Sequence, residues 1–233
     1  MRMLILSVDS SATPASVSLY DDKVLAEYYI NTKLTHSQTL VAMIESVLQI
    51  TGTDVKDIDL YAVNNGPGSF TGVRIGVSAV KGMAYAQDKP CIAVSTLESM
   101  AYNCLTDNAV ICACMDARRQ QVYNALFKVN GGAIERISED RAIAIDQLCS
   151  ELKDINDRAI LVGDGANLVY NFCSELKHVI LAPENLRYQK ASSVAMIASN
   201  KAEQGEMISA AALMPSYLRL SQAERERMEK QKG

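Results

Sequence analysis

The sequence has no tryptophan, three phenylalanines and only two histidines, His36 and His178, among its 233 residues. Neither H-E-x-x-H nor H-x-x-x-H occurs, so a histidine-based metal site has little to be built from. None of the six cysteines (Cys91, Cys104, Cys112, Cys114, Cys149, Cys173) belongs to a C-x-x-C pair. Several lie in apolar context, as in Ile111-Cys112-Ala113-Cys114-Met115, and read as reduced core thiols of a cytoplasmic protein. No apolar run approaches the ~18 residues of a membrane span. The opening run soon meets Asp9 and is too short for a signal peptide. Positive charge is also in short supply, with 23 Lys and Arg against 27 Asp and Glu and a net charge of −4. The pI near 5.3 argues against the chain gripping nucleic acid by itself. A local basic patch stays compatible with that balance.

What is present is ordinary for a globular protein, 48% hydrophobic and 21% charged, and long enough for one large domain or two small ones. Three short strands open the chain at 4–8, 15–20 and 24–30. A helix follows, with Leu40, Val41, Ile44, Val47 and Leu48 at helical spacing and Thr35 or Ser37 to cap it. A strand at 59–63, a long apolar helix ending near Gln87 and a strand at 92–95 complete this half. The order then recurs. An apolar strand at 110–116 ends in Asp116, as the first ends in Asp9. Strands at 121–128 and 134–137, a helix near 145–152, a strand at 159–162 and a helix within 192–204 follow. A duplicated β-β-β-α-β-α unit is the α/β architecture of actin, Hsp70 and the sugar kinases. The expected domains are 1–105 and 106–205, with 206–233 packing back on the first or frayed. Its charged end, SQAERERMEKQKG, reads as frayed.

The stretch NNGPGSFTGVRIG at 64–76 joins a buried strand to the long helix through a glycine turn. Ser69 or Thr71 can cap that helix, and Gly66 and Gly68 open backbone angles closed to other residues. A helix start of this kind attracts anions, yet the spacing fits neither the P-loop nor the dinucleotide fingerprint. Mid-helix Gly72, Gly76 and Gly82 with Ala79 and Ala86 suit close packing, against this chain's own sheet or another chain's helix. Arg74 is a cation where the helix dipole disfavours one. A bound anion, a partner's acidic group or, foremost, a carboxylate such as Asp9 or Asp57 would offset it. The turns after the two strand-end aspartates, Ser10-Ser11-Ala12-Thr13 and Ala117-Arg118-Arg119-Gln120, carry no glycine for a phosphate to approach. The architecture thus suggests nucleotide binding while its loops argue against an active ATPase.

The stretches LSVDSS at 6–11, THSQ at 35–38, GPGSFTGVRIG at 66–76, STL at 95–97, MDAR at 115–118 with Val122-Tyr123, and PSYLR at 215–219 resemble the TsaB family, also called YeaZ. The resemblance runs almost end to end. It implies a scaffold without catalysis of its own and without a cofactor. Such a scaffold binds TsaD, the transferase that places threonylcarbamoyl on a tRNA adenosine beside the anticodon, together with the ATPase TsaE. It would contact tRNA only within that complex and form a homodimer when alone, by an overlapping surface. In TsaD-type members of this once-called glycoprotease group, two histidines four positions apart bind a metal. Here only His36 stands there, with Thr32 and Leu40 at those offsets, so no metal is implied. Two sets of positions follow as expectations. A partner surface on the two helices of the first half comprises His36, Leu40, Ile44, Val73, Gly76, Val77, Ala79, Val80 and Met83. A vestigial nucleotide or anion site comprises Asp9, Gly66, Gly68, Ser69, Thr71, Arg74, Asp116 and Arg118. Small-molecule kinase or ATPase activity and peptidase activity are the alternatives. The peptidase reading lacks a Gly-x-Ser-x-Gly elbow, since Pro67 stands two before Ser69.

Overall fold

A computed structural model describes residues 3–106 and 108–219. The charged end beyond 219, read above as frayed, lies outside the described residues. The first unit runs β1 (Ile5–Asp9), β2 (Ala15–Asp21), β3 (Lys23–Ile30), α1 (His36–Thr51), β4 (Leu60–Gly66), α2 (Phe70–Ala86), β5 (Cys91–Ser95) and α3 (Thr96–Ala101). The second runs β6 (Ala109–Asp116), β7 (Gln121–Asn130), β8 (Ala133–Arg136), β9 (Arg141–Ala144), α4 (Ile145–Lys153), β10 (Arg158–Val162), α5 (Ala166–Phe172), β11 (Val179–Leu181) and α6 (Glu184–Arg187). The last helix is α7 (Ala191–Glu203).

The first sheet has the order β3-β2-β1-β4-β5 and the second β11-β10-β6-β7-β8, with β9 also on β7. Each therefore holds three antiparallel strands followed by two parallel ones in the same spatial order. The duplicated β-β-β-α-β-α architecture expected from the sequence is present. The parallel strands need crossover helices, which α2 and α5 are placed to provide.

Helix α1 starts at Thr35, whose N–H and hydroxyl both donate to Gln38 Oε1, and stops at Gly52 in the left-handed region. Its buried stripe of Leu40, Met43, Ile44 and Val47 joins Val73, Val77 and Val80 of α2 on one face of the first sheet. The other face, with Ile5, Leu60, Ala62, Ile92 and Val94, is covered by Val194, Ala195, Ile197 and Ala198 of α7. The boundary expected at 205 is thus crossed: α7 follows the second unit in sequence but packs on the first sheet. Its alanine-rich pattern specifies burial and carries no mark of which sheet it meets.

Residues 206–219 lie against β5 and α2. Ile208 exchanges two backbone hydrogen bonds with Cys91, and Leu213 is buried beneath α2. Lys81 Nζ donates to the carbonyls of Ala211 and Leu213 at 2.8 and 3.1 Å.

In the second unit, α4 and α5 cover one face of the sheet. The opposite face, with Ile111, Ala113, Phe127 and Val129, receives Leu97, Met100 and Ala101 of α3, so α3 is the wedge between the units. Ion pairs fasten it. Arg136 lies over the Phe127 ring and bridges Asp140 at 2.6 Å and Glu98 at 3.6 Å, while Lys201 reaches Glu98 at 3.8 Å. All six cysteines are free and buried, as their apolar context suggests.

Candidate functional site

The glycine turn ahead of α2 is filled from within the chain. A Cβ added at Gly68 or Gly72 would collide with the carbonyl oxygens of Ser11 and Ser10, and one at Gly66 with that of Ser216. At Gly76 it would come 2.5 Å from Ser10 Oγ. The Ser69 amide donates to Ser11 O at 2.6 Å, and the Ser69 hydroxyl caps the helix by accepting from Gly72 N at 3.3 Å. Ser10 Oγ donates to Gly72 O at 2.8 Å. Gly68 and Gly72 are thus packed on the β1–β2 turn and Gly66 on Ser216, and the Ser69 amide is spent on Ser11. Thr71 is exposed on the outer side of the first turn.

Asp9 is fully buried at the end of β1. Its Oδ1 accepts from Ser11 N (3.3 Å), Ser11 Oγ (2.6 Å) and Asn64 Nδ2 (2.9 Å). Its Oδ2 has no hydrogen-bond partner among the described residues. Burial pushes the carboxyl above its usual range, opposed by the hydrogen bonds from Ser11 and Asn64. Asn64 Nδ2 also donates to Ser99 Oγ at 2.8 Å, tying this aspartate to α3. His36 is half-buried, with Nε2 at 2.7 Å from Ala12 O. It braces the β1–β2 turn rather than lying on an outer helix face.

Asp116 ends β6 and is satisfied locally. Its Oδ1 accepts from Arg118 N at 2.7 Å, and its Oδ2 pairs with the exposed Arg118 guanidinium at 3.4 Å. The loop after it is strained. Arg118, Arg119 and Gln120 take φ values of +64°, +54° and +56° in succession. Such angles cost side-chain-bearing residues about 1–2 kcal/mol each. Hydrogen bonds hold the loop from three sides: Ala117 N to Gln121 O, Ile145 N to Gln120 O, and Arg219 Nη1 to Ala117 O.

Arg74 does not meet Asp9 or Asp57. Its Nε donates to Tyr217 Oη at 2.7 Å, and its guanidinium lies 4.5 Å from the Phe70 ring centroid. Phe70 and Tyr217 are themselves stacked, 4.0 Å apart and 7° from parallel. The cation at the helix start is thus balanced by ring faces. Its partner Tyr217 is far away in sequence, in the PSYLR stretch, so no local signal could pair them. A cavity of about 530 Å³ between the units is lined by Ser11, Ser69, Phe70, Arg118, Tyr123 and Arg219, among others.

The partner-surface positions separate by burial. Leu40, Ile44, Val73, Gly76, Val77 and Val80 lie in the chain's own core, and only Ala79 and Met83 reach the outer side half-exposed. The sheet takes the apolar stripe that periodicity reveals, so those six are core residues. The outer faces of the two helices carry Val41, Gly82 and Tyr85, the last 76% exposed. No group of three or more metal-ligating side chains occurs among the described residues, and no helix among them is long and apolar enough to cross a membrane.

Residues 23–227 match the family model described as TsaD, tRNA N6-adenosine threonylcarbamoyltransferase. Over 99% of its length the chain is 30% identical to the tRNA threonylcarbamoyladenosine biosynthesis protein TsaB of Bacillus subtilis, covering all of that relative. The chain belongs to the TsaB family. The Escherichia coli TsaB protein is 29% identical over 93% of this chain and 95% of its own. Among solved structures, one from Pseudomonas aeruginosa, described as uncharacterized with similarity to peptidase YeaZ, superposes with a TM-score of 0.82. It is 26% identical and covers 93% of this chain and 100% of that one. In this TsaB-family chain the THSQ, GPGSFTGVRIG and PSYLR stretches build the packed turn and the Phe70–Tyr217 stack.

Proposed function

We propose that this chain acts in the synthesis of threonylcarbamoyladenosine in tRNA as a non-catalytic partner that binds and activates a TsaD-type transferase. The observation that carries the reading is the closed glycine turn. The architecture that elsewhere presents phosphates to backbone amides here spends the Ser69 amide and the space beside Gly68 and Gly72 on Ser10 and Ser11. The cavity beside the turn remains, but the loops after Asp9 and Asp116 that line it carry no glycine for a phosphate to approach. The relatives' names supply the pathway.

The outer face of α1 and α2 suits the transferase. Val41, Ala79, Gly82, Met83 and Tyr85 offer apolar surface, and nothing lies within 4 Å of a Cβ placed on Gly82. Small residues on a helix let another helix approach closely. The same face would pair two copies when the partner is absent, and the TsaE ATPase would join the heterodimer. The peptidase wording attached to one solved relative finds little chemistry to support it. Both histidines spend Nε2 on backbone carbonyls, His36 on Ala12 and His178 on Leu152, and the Ser69 hydroxyl caps a helix.

The test is reconstituted threonylcarbamoyl transfer to tRNA from TsaD, TsaE and donor, with and without this chain. Product should require the chain, which alone should turn over neither ATP nor peptide. Equal product without it would refute the activating role, and ATP hydrolysis by the chain alone would favour the kinase-like alternative.

A further inference from the structure

The mouth of the cavity between the units gathers aromatic rings and arginines. On one bank, Phe70 and Tyr217 stack in parallel with the exposed Arg74 against them. On the other, Arg219 lies 5.8 Å from the Tyr123 ring centroid, and the strained loop extends the Arg118 and Arg119 side chains outward. Arg118 and Arg219 line the first cavity with Phe70 and Tyr123, Arg118 and Arg119 line the next with exposed Phe172 and Leu168, and Arg74 sits against the Phe70–Tyr217 stack, on a chain whose net charge is −4. Asp116 and Asp164 line the first cavity as well and Asp146 the next, with Asp116 paired to Arg118.

We propose that these rings and arginines form a track that binds single-stranded RNA, with the arginines on phosphates and the Phe70–Tyr217 and Tyr123 rings stacking bases. Base stacking on aromatic side chains combined with a basic groove is the chemistry of single-strand recognition. An acidic peptide would use the guanidiniums but leave the rings idle, so RNA is the occupant that uses both. The strained loop fits the same role: a left-handed run held from three sides fixes where Arg118 and Arg119 point before any ligand arrives. The inference rests on the proposed function and deepens it, since it assigns tRNA a contact on this chain that begins at the first turns of α2.

The experiment is fluorescence anisotropy of labelled, unmodified tRNA and of a short oligouridine with the full chain, titrated across salt concentrations. Arg118→Ala with Arg119→Ala should lower the slope of log affinity against log salt by about 1.4, two contacts at about 0.7 each for a single strand. Tyr217→Ala should weaken binding roughly fivefold or more with the slope unchanged, and Tyr217→Phe should keep the affinity. All variants are checked by thermal melting and by co-elution with the transferase partner. Failure to co-elute by the wild-type chain would sink the proposed function alone. Absence of saturable RNA binding at low salt, equal affinity of all variants, or tighter binding of an acidic peptide than of RNA would overturn the track. So would loss of RNA and transferase binding together in the arginine variant, because the face would then be a protein interface.

Discussion

Gly76 and Gly82 sit on one helix and would answer the same substitution in opposite ways. Leucine at Gly76 drives into Ser10, Val63 and Val8. It should cost at least about 1–3 kcal/mol by overpacking, read as a lowered denaturation midpoint. Leucine at Gly82 meets open space and gains up to about 0.8 kcal/mol of helix propensity. The protein should stay folded while co-elution with the transferase is lost; retained co-elution would remove α2 from the interface. Asp9 gives a second residue-scale prediction. Burial raises its carboxyl above the ordinary 3.8, so the folded chain holds this proton more tightly than the unfolded one. The stability it contributes is complete below the unfolded value and is lost as pH rises through the folded value. Asp9→Asn keeps an oxygen for Ser11 and Asn64 and removes the charge. It should flatten that fall and match or exceed the wild type near neutral pH, measured by denaturant titration at several pH values. A less stable variant at neutral pH would mean that the carboxylate is needed in its charged form.

At the scale of elements, order was legible and placement was not. The alternation in β1 to β3, the helical spacing in α1 and the strand-end aspartates reveal the duplicated units, because each depends on neighbours in sequence. The same spacing misdirected the partner surface. Leu40, Ile44, Val77 and Val80 are apolar because the first sheet lies under them, and periodicity cannot tell that sheet from a second protein. The loop at 118–120 was opaque for a different reason. Left-handed backbone is normally announced by glycine or asparagine, and here Arg-Arg-Gln adopts it under hydrogen bonds from Ile145 and Arg219. Arg119→Gly should accordingly stabilise the protein by roughly 1 kcal/mol, seen as a higher melting temperature. An unchanged or lower melting temperature would show that the loop is not strained in solution.

Across the whole molecule the two units are fastened by α3 and by the ion pairs around Arg136 and Glu98. These side chains are roughly three-quarters or more buried. Arg136→Ala should therefore cost about 1–3 kcal/mol and broaden thermal unfolding as the units uncouple. A sharp, unshifted transition would show that α3 packing alone joins them. The placement of α7 and of residues 206–219 on the first sheet has a consequence for how the protein is made. Chain growth on the ribosome runs from the amino end, yet the half synthesised first is the half finished last. Its sheet face of Ile5, Leu60, Ala62, Ile92 and Val94 stays bare until α7 emerges, whereas the second unit is complete in one uninterrupted stretch. Nascent chains halted before α7 should offer that bare face to chaperones, and protease resistance should appear in the later half first.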